Sequence, residues 1–327
     1  MADSRQARKP ALKPRTLRLA FFGTPEFAVP TLETLLAGPH AVAAVVTQPD
    51  RPRGRGRRSS PCPIADVALR EKISLLRPER VGEPGVANAL RAARVELGVV
   101  VAFGQFLPKR IREAPSLGYL INGHASLLPA FRGAAPIARA ILAGETRTGV
   151  SVMRVEKEMD AGPVALVREL EIGADENAGE LAERLSRLTA QAIGEVVAGI
   201  AQERVVWTPQ DAARVSYAPK IERSETALDW SESAPALARR VRALAPTPGA
   251  TTSFAGERLR ILAARTAPGR ADVEPGTVRR GESPALAVAS GDGWLAPLVI
   301  QRAGGVPLAV EVYLRGRPIP DGARFGG

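Results

Sequence analysis

A chain of 327 residues exceeds the roughly 100–200 of one ordinary domain, so two units are expected, and a hydrophobic fraction of 45% lets each bury a core. The formal net charge of +11 comes almost wholly from arginine and favours a polyanionic partner such as nucleic acid. The single cysteine, Cys62, excludes an internal disulfide, and with two histidines, His40 and His124, a Cys/His zinc centre has too few ligands.

Residues 1–16 are basic, include Asp3 and have no apolar stretch; a disordered tail is expected there rather than a secretory signal. Residues 17–22 form a short apolar run ending at Gly23, and Pro25 opens a helical stretch over 27–36. A second apolar run covers 41–47 and leads into Arg51-Pro52-Arg53-Gly54-Arg55-Gly56-Arg57-Arg58, the densest charge run of the chain, expected as an exposed loop. Residues 98–102, Gly-Val-Val-Val-Ala, have no polar face and read as a strand buried on both sides. Another strand is expected over 119–122, and two more over 149–156 and 164–172, flanking Met159-Asp160-Ala161-Gly162. A long helix over 178–200 carries Leu181, Leu185 and Leu188 on one face, with Asp175 or Asn177 as its cap. Strands alternating with helices predict a parallel sheet covered on both sides.

From 207 to 222 the pattern lapses into a linker with Pro209 and Pro219. A helix over 234–244 follows, then short apolar runs at 250–254, 259–263, 285–289 and 294–300 separated by Gly, Pro and Asp-Gly turns, as in a small barrel or sandwich. The expected organisation is a tail (1–16), an α/β domain (17–206), a linker (207–222) and a β-rich domain (223–327). No apolar run is long enough to span a membrane, and cysteine usage points to the cytoplasm.

Asn122-Gly123-His124 lies where a strand meets a loop. At strand spacing the amide and the imidazole project to the same side, at the carboxyl end of a sheet, where α/β proteins bind ligands, and Gly123 leaves room for a close approach. Alone, the pair fits a structural histidine as well, and an Asp in Asp-x-Gly fits an ordinary turn. The first strand-to-helix turn, Gly23-Thr24-Pro25-Glu26, lacks the glycine fingerprint of a dinucleotide site.

Taken together, Asn122-Gly123-His124, Ser126-Leu127-Leu128-Pro129 and the later Asp160-Ala161-Gly162 resemble the folate-dependent formyltransferases. Gly23-Thr24-Pro25-Glu26-Phe27, Thr47-Gln48-Pro49-Asp50-Arg51-Pro52, Arg132-Gly133-Ala134-Ala135-Pro136-Ile137 and Asp229-Trp230 resemble the members of that family that act on aminoacyl-tRNA. The resemblance implies a Rossmann-like catalytic domain, a smaller OB-like β-barrel domain, 10-formyltetrahydrofolate as donor without a metal, and methionyl-initiator tRNA as acceptor. It further implies that Ser126, Leu127, Leu128 and Pro129 line the folate pocket; 103–108, which follow the most buried strand, are expected as its opposite wall. Arg51, Arg53, Arg55, Arg57 and Arg58 would reach the acceptor stem, Arg55 foremost. Gly123, Phe131 and Phe103 depart from the family, which commonly has an aliphatic residue, Trp and Tyr there. Formyl transfer needs donors for a developing oxyanion, a role open to Asn122 and His124, and a proton acceptor, a role open to Asp160. A monomer is expected. A formyltransferase with another amine acceptor and a non-catalytic RNA-binding protein are the alternatives.

Overall fold

The computed structural model describes residues 15–53 and 58–326. Of the expected tail, positions 1–14 lie outside the described residues, as do Arg55 and Arg57.

In chain order, β1 (Arg18–Gly23), α1 (Val29–Ala37) and β2 (Ala41–Val46) lead to a ribbon of β3 (Arg51–Arg53) and β4 (Arg58–Ser60). Then come α2 (Pro63–Arg70), β5 (Leu75–Leu76), α3 (Pro84–Ala92), β6 (Leu97–Val101), α4 (Lys109–Arg112) and β7 (Leu120–His124). α5 (Pro136–Ala143), β8 (Arg147–Arg154), β9 (Val164–Glu171) and α6 (Ala178–Ala201) complete the first half. Seven strands form one sheet in the order β5-β2-β1-β6-β7-β8-β9. Its pairs from β5 through β7 are parallel, and β8 runs antiparallel to β7.

This is the Rossmann-like, mostly parallel sheet expected from the alternating pattern. β6 is buried at all five positions, as its unbroken apolar run requires of a strand covered on both sides. On one side, α3 and α4 pack over Ala20, Phe22, Val100 and Leu120. On the other, a Cβ at Gly123 would lie 2.6 Å from Thr189 Cγ2 and 3.3 Å from Ile193 Cγ1 of α6. Gly123 therefore lets α6 pack closely against β7, the close approach expected of that glycine. The strand order reverses between β1, paired to β2, and β6, so the carboxyl ends of β1 and β6 form a topological switch point. Of the two expected caps of α6, Asn177 is the one used. Its Oδ1 accepts from Gly179 and Glu180 N–H at 2.9 and 3.1 Å, and the Glu180 carboxylate accepts from Asn177 N–H at 3.0 Å.

The second half contains α7 (Ala234–Leu244), β10 (Ala250–Phe254), β11 (Glu257–Ala267), β12 (Val278–Arg280), β13 (Leu286–Ala289), β14 (Trp294–Arg302), β15 (Leu308–Ala309) and α8 (Val310–Gly316). These strands form an antiparallel sheet in the order β10-β11-β14-β13-β12, with β15 beside β14. Near the C-terminus, Val278 N–H donates to Ala323 O at 2.7 Å and Gly326 N–H to Ser253 O at 2.9 Å, so one short segment touches both sheet edges, as closing a barrel requires. Trp230, Leu237, Val241, Ile261, Leu295 and Phe325 lie in the core beneath. Trp230 of the Asp-Trp motif is part of it, and its Nε1 donates to Thr252 Oγ1 at 3.1 Å.

Packing divides the chain into two compact units. One holds the described residues up to His124, with Val150–Val167 and Ser186–Gln210; the other holds Ala125–Gly149, Arg168–Leu185 and the residues from Asp211 onward. Within the second, α5 packs against α7. The Arg139 guanidinium on α5 makes two hydrogen bonds to the Glu225 carboxylate, at 2.6 and 2.9 Å.

Candidate active site

His124 is the last residue of β7. Side chains alternate along a strand, so Leu120, Asn122 and His124 share one side of the sheet, and Gly123 faces α6 on the other. Leu120 packs among α3 and α4 residues; Asn122 and His124 follow it toward the carboxyl end. Met153 and Ser151 of β8 pair with Asn122 and His124 in register, and both are buried. His124 is buried and Asn122 half-buried.

Asp160 arrives from the loop between β8 and β9. Its Oδ2 lies 3.6 Å from His124 Nδ1, with 7% of the imidazole and 13% of the carboxylate side chain exposed. That separation is longer than a hydrogen bond, and both side chains are largely shielded from solvent. Of the three expected catalytic residues, His124 and Asp160 thus face each other, and Asn122 shares the histidine's side of the sheet.

The loop owes its shape to close backbone approach. A Cβ at Gly162 would sit 2.0 Å from Arg154 O, a distance no side chain tolerates, so the glycine of Asp-x-Gly lets the chain fold back on β8. Arg154 N–H donates to Pro163 O at 3.0 Å, and Val164 and Thr208 exchange two backbone bonds of 2.8 and 2.9 Å. Gln210 Nε2 donates to Asp160 O and to Gly162 O, each at 2.8 Å. Asp160 itself has φ 52°, in the left-handed region. The Arg154 guanidinium lies 4.3 Å from the Tyr119 ring centre and 4.5 Å from that of Trp207. The stretch read as a linker begins, then, as a strap across the Asp160 loop.

The switch point is tied by side chains from the motifs that precede it. Thr24 Oγ1 and Gln48 Nε2 both donate to Phe103 O, at 3.1 and 2.9 Å, joining the ends of β1, β2 and β6. Cys62 is buried; its Sγ caps α2 by accepting from Ala65 N–H at 3.4 Å and lies 2.8 Å from Thr47 Oγ1. Among the described residues no group of three or more His, Cys, Asp or Glu could hold a metal ion.

Ser126, Leu127, Leu128 and Pro129 belong to the second unit. Ser126 Oγ donates to Ala130 O at 2.6 Å, so its hydroxyl shapes the turn. Further along, Phe131 N–H donates to Ser216 Oγ at 2.9 Å, Arg132 N–H to Ser216 O at 2.9 Å and Ala218 N–H to Arg132 O at 2.7 Å. A cavity of about 230 Å³ in this unit, lined by Asp175, Asn177, Arg242, Arg265 and neighbouring apolar residues, contains none of the expected site residues.

Within the arginine run, Arg51 lies opposite Ser60 and Arg53 opposite Arg58 in an antiparallel pair, and Arg55 and Arg57 lie outside the described residues. Sequence reasoning missed Gln210, Trp207 and Arg154. A paired ring-and-guanidinium set leaves no spacing signature, and nothing in the sequence links position 210 to a loop 50 residues earlier.

A mostly parallel α/β sheet with a histidine and an amide at a strand's carboxyl end, and a carboxylate 3.6 Å from the histidine, has the arrangement of a group-transfer enzyme of the α/β class. The family described as Formyl transferase matches residues 17–197, and that described as Formyl transferase, C-terminal domain, matches residues 220–318. The chain belongs to the formyl transferase family. It is 42% identical over 310 residues to the methionyl-tRNA formyltransferase of Methylococcus capsulatus, covering 95% of this chain and 100% of that one. With the methionyl-tRNA formyltransferase of Xanthomonas axonopodis pv. citri the identity is 44% over 305 residues, covering 92% and 98%. Among solved structures, HypX from Aquifex aeolicus in complex with tetrahydrofolic acid shares the fold at TM-score 0.64 and 17% identity, covering 93% of this chain and 48% of that one.

Proposed function

We propose that the protein transfers the formyl group of 10-formyltetrahydrofolate to the α-amine of methionyl-initiator tRNA for translation initiation. The relatives named for this reaction align with nearly the whole chain, and the observation that carries the chemistry is the His124–Asp160 pair at the end of β7. When bound, the donor supplies an activated formyl carbon. Asn122 donates an amide N–H to the formyl oxygen as negative charge develops there. His124, whose Nδ1 is turned toward Asp160, donates an imidazole N–H to the same oxygen. Asp160 takes the proton from the attacking amine, directly or through water, and returns it to the leaving folate nitrogen as the bond between that nitrogen and the formyl carbon breaks. The α-amine needs no prior deprotonation by the enzyme, because a free α-amino group titrates near about 8 and esterification of its carboxyl lowers that value.

Ser126, Leu127, Leu128 and Pro129 are assigned to the folate pocket through their backbone, since the Ser126 hydroxyl is engaged by Ala130 O. Arg51, Arg53, Arg55, Arg57 and Arg58 are assigned to the acceptor stem. The working organisation is a catalytic domain over 17–206, a connecting strap over 207–222 and a tRNA-binding domain from 223, in a cytoplasmic monomer. Among the described residues no helix is long and apolar enough to cross a membrane.

The acceptor decides the reading. Formyl-tetrahydrofolate is offered with methionyl-initiator tRNA, uncharged tRNA, free methionine or an amino-sugar nucleotide, and formylated product is counted. Product from the charged tRNA alone is expected. Preferential formylation of the sugar nucleotide would transfer the chain to a different branch of its family.

A further inference from the structure

We infer that Gln210 is a positioning residue for formyl transfer: its side-chain amide fixes the main chain of the Asp160 loop and thereby aims the Asp160 carboxylate. The inference rests on the role given to Asp160 above.

One amide nitrogen carries two hydrogens, and here both are spent on one loop, on Asp160 O and on Gly162 O, each at 2.8 Å. The loop's own turn bond, Ala161 N–H to Glu158 O, is long at 3.4 Å. Asp160 holds φ 52°, a region that L-residues populate only when surroundings enforce it. Fixing the direction of the Asp160 carbonyl fixes the rotation of its Cα, and with it the direction in which the carboxylate leaves the chain toward His124 Nδ1, 3.6 Å away. Met159, immediately before, is 69% exposed, so packing of that neighbour does not hold the loop in place.

Gln210 is itself well anchored. Thr208 exchanges two backbone bonds with Val164, and Trp207 lies against the Arg154 guanidinium at 4.5 Å. The strap thus enters from a fixed point and presents its amide at a defined height. Glutamine is specifically suited: asparagine is one methylene shorter, glutamate offers acceptors to two carbonyls that need donors, and methionine keeps the length but donates nothing.

The test uses the full-length enzyme and compares Gln210→Met, Gln210→Glu and Asp160→Asn with the unsubstituted chain. Steady-state kinetics with methionyl-tRNA and formyl-tetrahydrofolate are paired with thermal unfolding. A misaimed catalytic group costs up to about a hundredfold, so both Gln210 variants should lose roughly tenfold to a hundredfold in kcat, with both KM values and the unfolding midpoint close to those of the unsubstituted chain. Unchanged kcat in either Gln210 variant, with Asp160→Asn inactive, would overturn the inference and leave the role of Asp160 standing. A kcat loss that merely tracks a lowered unfolding midpoint in both variants would assign Gln210 to folding alone and also overturn it. Full activity in Asp160→Asn would instead remove the reading beneath it.

Discussion

Asp160 meets His124 only because a residue two positions on has no side chain. With a Cβ at Gly162 projected 2.0 Å from Arg154 O, and backbone on the receiving side, nothing flexible can give way. Gly162→Ala should therefore displace the loop, at a cost of about 1–3 kcal/mol typical of forced overpacking, and turnover should fall further than stability implies. Urea unfolding alongside the formylation rate checks this; equal stability and rate would show that the loop tolerates the methyl. Strand alternation predicts that Asn122 and His124 share a face, but that pair and the Asp160-Ala161-Gly162 turn are each ambiguous alone, and only their joint resemblance to the folate-dependent formyltransferases singled out the three residues. Gly123 was read as leaving room for a close approach, but alternation gives the face of a residue and not that α6 is what packs there. Gln210 was invisible, as an amide acting on carbonyls carries no local pattern.

Between elements, the arginines that composition suggested for nucleic acid are partly occupied by the protein itself. Arg240 pairs with Glu232 at 2.7 Å, Arg242 donates to Glu176 O at 3.1 Å, and Arg260 donates to Gln301 Oε1 at 2.6 Å. Charge counts cannot separate an arginine that braces a helix from one that waits for phosphate. Arg139 is the clearest brace: besides its two bonds to Glu225, it donates to Pro219 O and Lys220 O at 3.0 and 3.1 Å. The Arg139 guanidinium, then the Glu222 backbone, hold the Glu225 carboxyl below the usual carboxylate range. A group whose pKa is lowered by folding stabilises the fold above its unfolded value, and that contribution disappears as pH falls through the folded value. The unfolding midpoint should thus drop as pH is taken from neutrality into the acid range, and the drop should be smaller in Arg139→Leu. Identical pH profiles for the two proteins would mean that the pair contributes nothing to acid stability.

For the whole molecule, the alternating first half and the short-run second half were readable because a buried parallel sheet and an antiparallel sheet have different apolar periods. The antiparallel turn at β8 and the bridging of the second sheet by residues 323–326 were not, because register and closure depend on partners distant in sequence. The excess of positive charge, +11 overall, bears on the partner rather than the fold. The logarithm of the tRNA affinity should fall linearly with the logarithm of salt concentration, and each phosphate left unneutralised should remove roughly 0.7–0.9 from the slope. Replacing Arg53, Arg55, Arg57 and Arg58 with alanine should flatten that slope and leave folate binding unchanged, as titrations at several salt concentrations would show. An unaltered slope would take the ribbon out of the interface.

The most direct measurement is the single-turnover rate of formyl transfer to methionyl-tRNA, with both substrates saturating, for Asn122→Ala, His124→Ala and Asp160→Ala. Loss of one preorganised group at a developing charge costs about a hundredfold or more, so each variant should be slowed at least that much while remaining folded and folate-bound. A rate near that of the unsubstituted enzyme in any one of them would contradict a reaction carried by these three side chains.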